Sequence, residues 1–195
     1  MVEGLKTGKM ERIVGFHGTS EAAASEILKT SFRKSAGDAE WLGDGVYFFT
    51  EGRSDSPYNQ AAEWAIASAY DKHARGLRYD KYYVLETRIE VDEEHFLDLT
   101  VAEGIELLNY FAGRFREKIS QTGKRLRYAD GLLINMIRKH GNLSIDVAKG
   151  NFYIKFKKER IFKINLRTAN CTILSVYDPE KCCKFTSVKK RGIVV

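Results

Sequence analysis

The chain has 195 residues, 44% hydrophobic and 30% charged, which excludes wholesale disorder and collagen-like repeats and suits one domain over residues 1–195. Lys and Arg exceed Asp and Glu by 32 − 26 = +6, an excess that permits an anionic partner without demanding one. Cys171, Cys182 and Cys183 offer neither a disulfide framework nor a CxxC zinc spacing, so reduced, partly buried thiols are expected.

In chain order, Met1–Lys6 lacks the apolar stretch of a signal peptide, and no run reaches the ~18 apolar residues of a membrane helix, so a cytoplasmic protein without a membrane partner is expected. Arg12–Phe16 is a predicted strand that ends at His17-Gly18-Thr19. Thr19 or Ser20 caps a helix over Glu21–Lys29. Gly43, Gly45 and Gly52 bracket Val46–Phe49, a short apolar run of the buried-strand type. Ser56-Pro57 opens a helix to about Arg75, with Ala61, Trp64, Ala65 and Ala69 on one face. Lys81–Val91 alternates as a strand. Thr100-Val101-Ala102-Glu103 fits a capping box, followed by a helix with Ile105, Leu108, Ala112, Phe115 and Ile119 inward. Asp130 caps a helix through about His140. Strands are predicted over Phe152–Phe156, Arg160–Leu166, Thr172–Tyr177 and Lys184–Val188. Helices gather in the first two-thirds and strands at both ends, an α+β pattern.

Three pieces can carry chemistry. A glycine next to His17 lets a ligand approach the backbone, and histidine donates or accepts near neutral pH. The segment Trp41-Leu42-Gly43-Asp44-Gly45-Val46-Tyr47-Phe48-Phe49 is not a dinucleotide fingerprint, because its Gly-x-Gly precedes a strand. Tyr47 can offer its ring to a planar heterocycle and its hydroxyl to a polar edge. Trp64 lies on the helix that follows. Taken singly, these read as a turn histidine, a tight turn before a core strand, and a core tryptophan.

Their order resembles the catalytic half of PARP-like ADP-ribosyltransferases, the diphtheria-toxin-related class. The match is densest over Gly15–Ala67, with Lys81–Asp98 as its continuation, and is most similar to small bacterial members that act as toxins or in phage defence. The resemblance implies a single α+β domain with a split, bent β-sheet core and flanking helices. It implies NAD as the substrate: His17 on a ribose hydroxyl, Gly18 holding the nicotinamide carboxamide, Thr19 supporting the pocket, and Tyr47 and Trp64 stacking on nicotinamide. Tyr58 and Tyr70 are further candidates to share the pocket with Trp64. The family often carries a glutamate on a late strand before a Val-Tyr-Asp-Pro pattern. Here Val176-Tyr177-Asp178-Pro179 puts Ile173 in that position, or Thr172 if the register slips by one. Members with a hydrophobic residue there transfer a single ADP-ribose; alternatively Asp178, Glu180 or Glu51 supplies a displaced acid. The implied function is mono-ADP-ribosyl transfer to nucleic acid (RNA included) or protein, and a neutralising antitoxin suits such an activity. The rivals are NAD hydrolysis, a non-catalytic module binding ADP-ribose or nucleic acid, and phosphotransfer from RNA, whose Arg/His set does not align.

Basic residues cluster at Arg114, Arg116, Lys118, Lys124, Arg125 and Arg127, over Lys155–Arg167, and at Lys189-Lys190-Arg191. Interleaved aromatics such as Tyr110, Phe111, Phe115, Phe152, Phe156 and Phe162 are compatible with a nucleic-acid surface.

Overall fold

β1 (Met10–Ser20) pairs antiparallel with β5 (Lys81–Asp92) residue for residue, from Met10–Asp92 to Ser20–Tyr82 without a bulge. The computed structural model describes residues 8–37, 40–53, 56–121, 129–156 and 168–194. The sequence reading ended the first strand at Phe16. The strand instead continues through His17, Gly18 and Thr19, because the apolar run Tyr82–Leu85 of β5 stays in register beside them. Ser20 then caps α1 (Glu21–Ile27), its hydroxyl accepting from Ala23 N at 3.2 Å.

β2 (Val46–Thr50) is followed by α2 (Pro57–Ala69), which stops short of the expected Arg75. A hairpin of β3 (Tyr70–Asp71) and β4 (Gly76–Leu77) ends it. The Asp71 carboxylate accepts from His73 N and Ala74 N, and Arg75 takes a positive φ. The buried face of α2 is Ala61, Ala62, Ala65 and Ala69, and Trp64 stands at its rim, 41% exposed. These small residues let α2 lie close on β1. A Cβ on Gly18 would overlap the Ala61 carbonyl, so Gly18 is required by packing as well as by any ligand.

Beyond β5 come β6 (Phe96–Asp98), α3 (Ala102–Arg114), α4 (Arg116–Gln121), α5 (Ala129–His140), β7 (Val147–Phe152), β8 (Cys171–Val176), α6 (Pro179–Cys182) and β9 (Cys183–Ile193). Thr100 does not form the expected capping box: its hydroxyl donates to Asp98 Oδ1, and Val101 is the N-cap of α3. Leu108, Phe111 and Phe115 face inward from this helix, whereas Ile105 is exposed. The expected strand Phe152–Phe156 is corrected: β7 ends at Phe152, because the Asn170 side chain bonds both Ile154 N and Ile154 O and fixes that stretch as irregular chain. The predicted strand Arg160–Leu166 lies outside the described residues.

The seven main strands form one mixed sheet in the order β6-β7-β8-β2-β1-β5-β9, parallel only between β6 and β7. With its helices the fold is α+β. One face, with Phe16, Phe49 and Ile173, packs against α2, α3 and α5. The other, with Phe48, Leu85 and Leu174, packs against α1 and α6. Central β8 is buried at every position. The sheet is narrowest between β1 and β2, where only Gly15–Thr50 and Phe16–Phe49 are in register.

Candidate functional site

That narrow join builds the site. Glu93 N donates to Lys9 O at 2.9 Å, which places Lys9, and by alternation every odd residue of β1, on the hydrogen-bonding side facing β5. The even residues therefore turn N–H and C=O toward β2. Val14 agrees, its carbonyl accepting from the Thr50 hydroxyl at 2.8 Å. After Phe16–Phe49 the next hydrogen-bonded pair would be Gly18–Tyr47, but the strands have splayed. His17 Nδ1–H donates to the Tyr47 carbonyl at 2.8 Å instead. Gly18 thus keeps an outward N–H and C=O side by side at the edge of a cavity of about 390 Å³.

His17, Gly18, Tyr47, Trp64 and Ile173 all line this cavity. Thr19 does not; it is in register with Tyr83, one position past the opening. Tyr58 packs edge-on to Phe16, and Tyr70 lies in the hairpin, so neither shares the cavity. The Tyr47 hydroxyl does not face a ligand. It donates to Gly43 O at 2.7 Å and accepts from Leu42 N at 2.9 Å, and burial raises its pKa. Only the ring is available.

His17 lies between Phe32 and Phe48, at 5.4 and 5.7 Å. Burial holds its imidazole below the ordinary value of 6.5, with the bond to Tyr47 O opposing. With Nδ1 carrying the proton, Nε2 of the neutral ring is an acceptor.

Ile173 is 3% exposed and in register with Phe49. Thr172 points elsewhere, its hydroxyl donating to Asn151 Oδ1 and accepting from Arg53 N. Thus Ile173 faces the cavity and no acid occupies that strand position. The proposed substitutes are also elsewhere: Glu51 lines a separate groove, Asp178 caps α6 by accepting from Lys181 N, and Glu180 is exposed on α6.

The sequence reading missed Glu40 and Arg33 and gave Trp41, the first residue of its glycine-rich segment, no role of its own; all three line the cavity. Burial is the main cause that raises the Glu40 pKa above 4.5, with Asp44 adding to it and the neighbouring Ser35 hydroxyl opposing. Trp41 stacks on Phe152 at 5.3 Å and meets Trp64 edge-on at 6.1 Å. Arg33 also lines the cavity, is largely exposed and pairs with Glu26. The lining therefore combines aromatic rings with a few charged and polar groups.

The 40–45 loop is clamped from a distance. Asp44 N donates to Asn135 Oδ1 at 2.9 Å, and the Tyr177 hydroxyl donates to Leu42 O at 2.6 Å. The Arg138 guanidinium lies 3.9 Å from the Tyr177 ring centroid. Gly43 takes φ +79° against α5, and a Cβ on Gly131 would overlap the Glu40 carbonyl. These contacts fix Glu40 and Trp41 at the cavity mouth.

Other sequence features fall outside the site. Phe111 and Phe115 stack in the core, and Phe152 and Phe156 pack on Trp41 and Phe49, so these aromatics do not form a surface for bases. Lys189 pairs with Glu86, and Arg191 lies over the Tyr83 ring. Lys124, Arg125, Arg127, Phe162 and the basic residues of 157–167 lie outside the described residues. Burial pushes the thiol of Cys182 up to about 11 and those of Cys171 and Cys183 up to about 12, so all three are protonated at neutral pH. Among the described residues no helix is long and apolar enough to cross a membrane, and no cluster of His, Cys, Asp and Glu is arranged to hold a metal.

No protein-family model matches the chain. It is similar to an uncharacterized protein of Methanocaldococcus jannaschii, 26% identical over 198 aligned positions that cover 92% of this chain and 86% of that protein.

Proposed function

We propose that the cavity binds the nicotinamide half of NAD and that the protein transfers one ADP-ribose to a macromolecular acceptor, nucleic acid or protein. The observation that carries this reading is the outward backbone of Gly18 beside His17, Tyr47 and Trp64. A carboxamide presents an N–H and a C=O side by side at a fixed separation, and the C=O and N–H of one extended residue match that pair. The aromatic side chains receive the flat ring, and Nε2 of neutral His17 accepts from a ribose hydroxyl. Arg33, the cation of the lining, is assigned to the diphosphate.

In the reaction, the bond between the ribose C1′ and the nicotinamide nitrogen breaks. Its electron pair returns to the ring, which leaves neutral. An acceptor lone pair then forms the new bond to C1′, and its proton passes to the Glu40 carboxylate. Glu40 is the acid displaced from the late strand: a partly buried carboxylate with a raised pKa suits proton acceptance. The apolar walls exclude water from the developing oxocarbenium. Ile173 offers no group to activate a second sugar hydroxyl, consistent with single transfer. The resemblance to toxin and phage-defence members makes an antitoxin the expected neutralising partner.

The test uses NAD labelled in its ADP-ribose half, incubated with the protein and cell lysate, with Tyr47→Ala as control. Label entering a protein, RNA or DNA fraction, and lost in the control, is expected and names the acceptor class. Label in free ADP-ribose alone makes the protein a hydrolase. No nicotinamide release from any mixture overturns the enzyme reading.

A further inference from the structure

β1 leaves its edge unpaired a second time, at the other end. The same alternation that turns Gly18 outward turns the N–H and C=O of Met10 and Arg12 away from β5. β2 begins its pairing only at Gly15. Among the described residues no backbone or side-chain group takes these four bonds. The edge opens into a groove of about 670 Å³ between β1 and α3. Glu11, Glu51, Glu93, Asp98 and Glu103 line it, against Arg12 and Lys149; Lys9 pairs with Glu11 and Glu93, and Lys149 with Asp98, so Glu51 and Glu103 carry its acidic surplus in a chain of net charge +6. Its exposed apolar residues are Val14, Val101 and Leu107.

We infer that this groove binds an extended, cationic peptide segment of a partner protein, which adds as a strand to the Met10–Arg12 edge. The open edge supplies the four main-chain groups of Met10 and Arg12, about 10 Å of strand. The acidic surplus selects Lys or Arg at alternate positions, and Val14 and Leu107 receive the apolar side chains between them. The inference is independent of NAD chemistry and of the Gly18 cavity.

The probe is a fluorescent eight-residue peptide alternating Lys and Val, measured by anisotropy at physiological salt. The expected result is saturable binding in the micromolar range, and no binding of the Glu/Val counterpart. Arg12→Pro removes an outward N–H and spares the β5 ladder, so it is expected to weaken binding about tenfold or more. Glu51→Lys combined with Glu103→Lys is expected to do the same. A peptide N-methylated at alternate amides tests the main-chain bonds without any variant, should Arg12→Pro fail to fold, and is expected not to bind. Absence of Lys/Val binding overturns the inference. So does binding indifferent to N-methylation, which reduces it to charge alone. A wild-type dimer that Arg12→Pro makes monomeric also overturns it, in favour of a second copy of this chain on the edge.

Discussion

The two open stretches of β1 arise from one cause and differ in character. Each exposes main-chain groups of even residues, because β2 is short and meets β1 only at Gly15 and Phe16. At the Gly18 end the exposed edge is enclosed by Tyr47, Trp41, Trp64 and Ile173, with α2 packed on the glycine. At the Arg12 end it faces an open, acidic groove. On the proposed roles, identical backbone chemistry serves a flat carboxamide in one place and an extended peptide in the other. The walls decide which.

Substitutions break this comparison at different strengths. The largest effect is expected from Glu40→Gln: a fall in kcat of about 10²–10³ with NAD binding retained, read by turnover and by quenching of tryptophan fluorescence. The same change leaves Lys/Val peptide binding in the groove intact. Gly18→Ala comes next. Its Cβ meets the Ala61 carbonyl, so α2 must shift, at a cost of about 2–3 kcal/mol in thermal unfolding and with loss of turnover. Tyr177→Phe removes the bond to Leu42 O and is expected to cost about 1 kcal/mol while raising KM for NAD, since the loop carrying Trp41 loosens. Trp64→Ala raises KM by up to about tenfold and leaves stability nearly unchanged, because the ring is at the rim.

The smallest expected effect is a pH dependence. The His17 pKa is lower folded than unfolded, so below about pH 6.5 the unfolded chain binds more protons and stability is lost as the pH drops. His17→Gln flattens that slope in unfolding measured from pH 7 downward.

Where local pattern sufficed, the sequence was legible. The glycine-bracketed Val46–Phe49 became β2, the alternating Lys81–Val91 became β5, and Ser20 capped α1. Long-range competition accounts for the differences. Asp98 took the Thr100 hydroxyl from the capping box, Asn170 diverted Phe152–Phe156 from strand to loop, and β5 carried β1 past His17. Glu40 went unnoticed, and Trp41 had no role of its own, because their positions depend on Asn135, Gly131 and Tyr177, about 90 residues or more away in sequence. The one local signal was their place just before the Leu42–Gly45 turn. Equally, nothing local tells that β2 would meet β1 at only two positions, and both open edges follow from that.

The central claim is that splaying of β1 from β2 turns the Gly18 backbone into a carboxamide clamp. It is tested most directly by titrating nicotinamide into ¹⁵N-labelled protein and following the Gly18 amide. The expected result is a saturable downfield shift of the Gly18 resonance, with smaller shifts at Phe48 and Trp64 and none at Arg12. A Gly18 amide that stays in place while nicotinamide binds elsewhere, or does not bind, contradicts it.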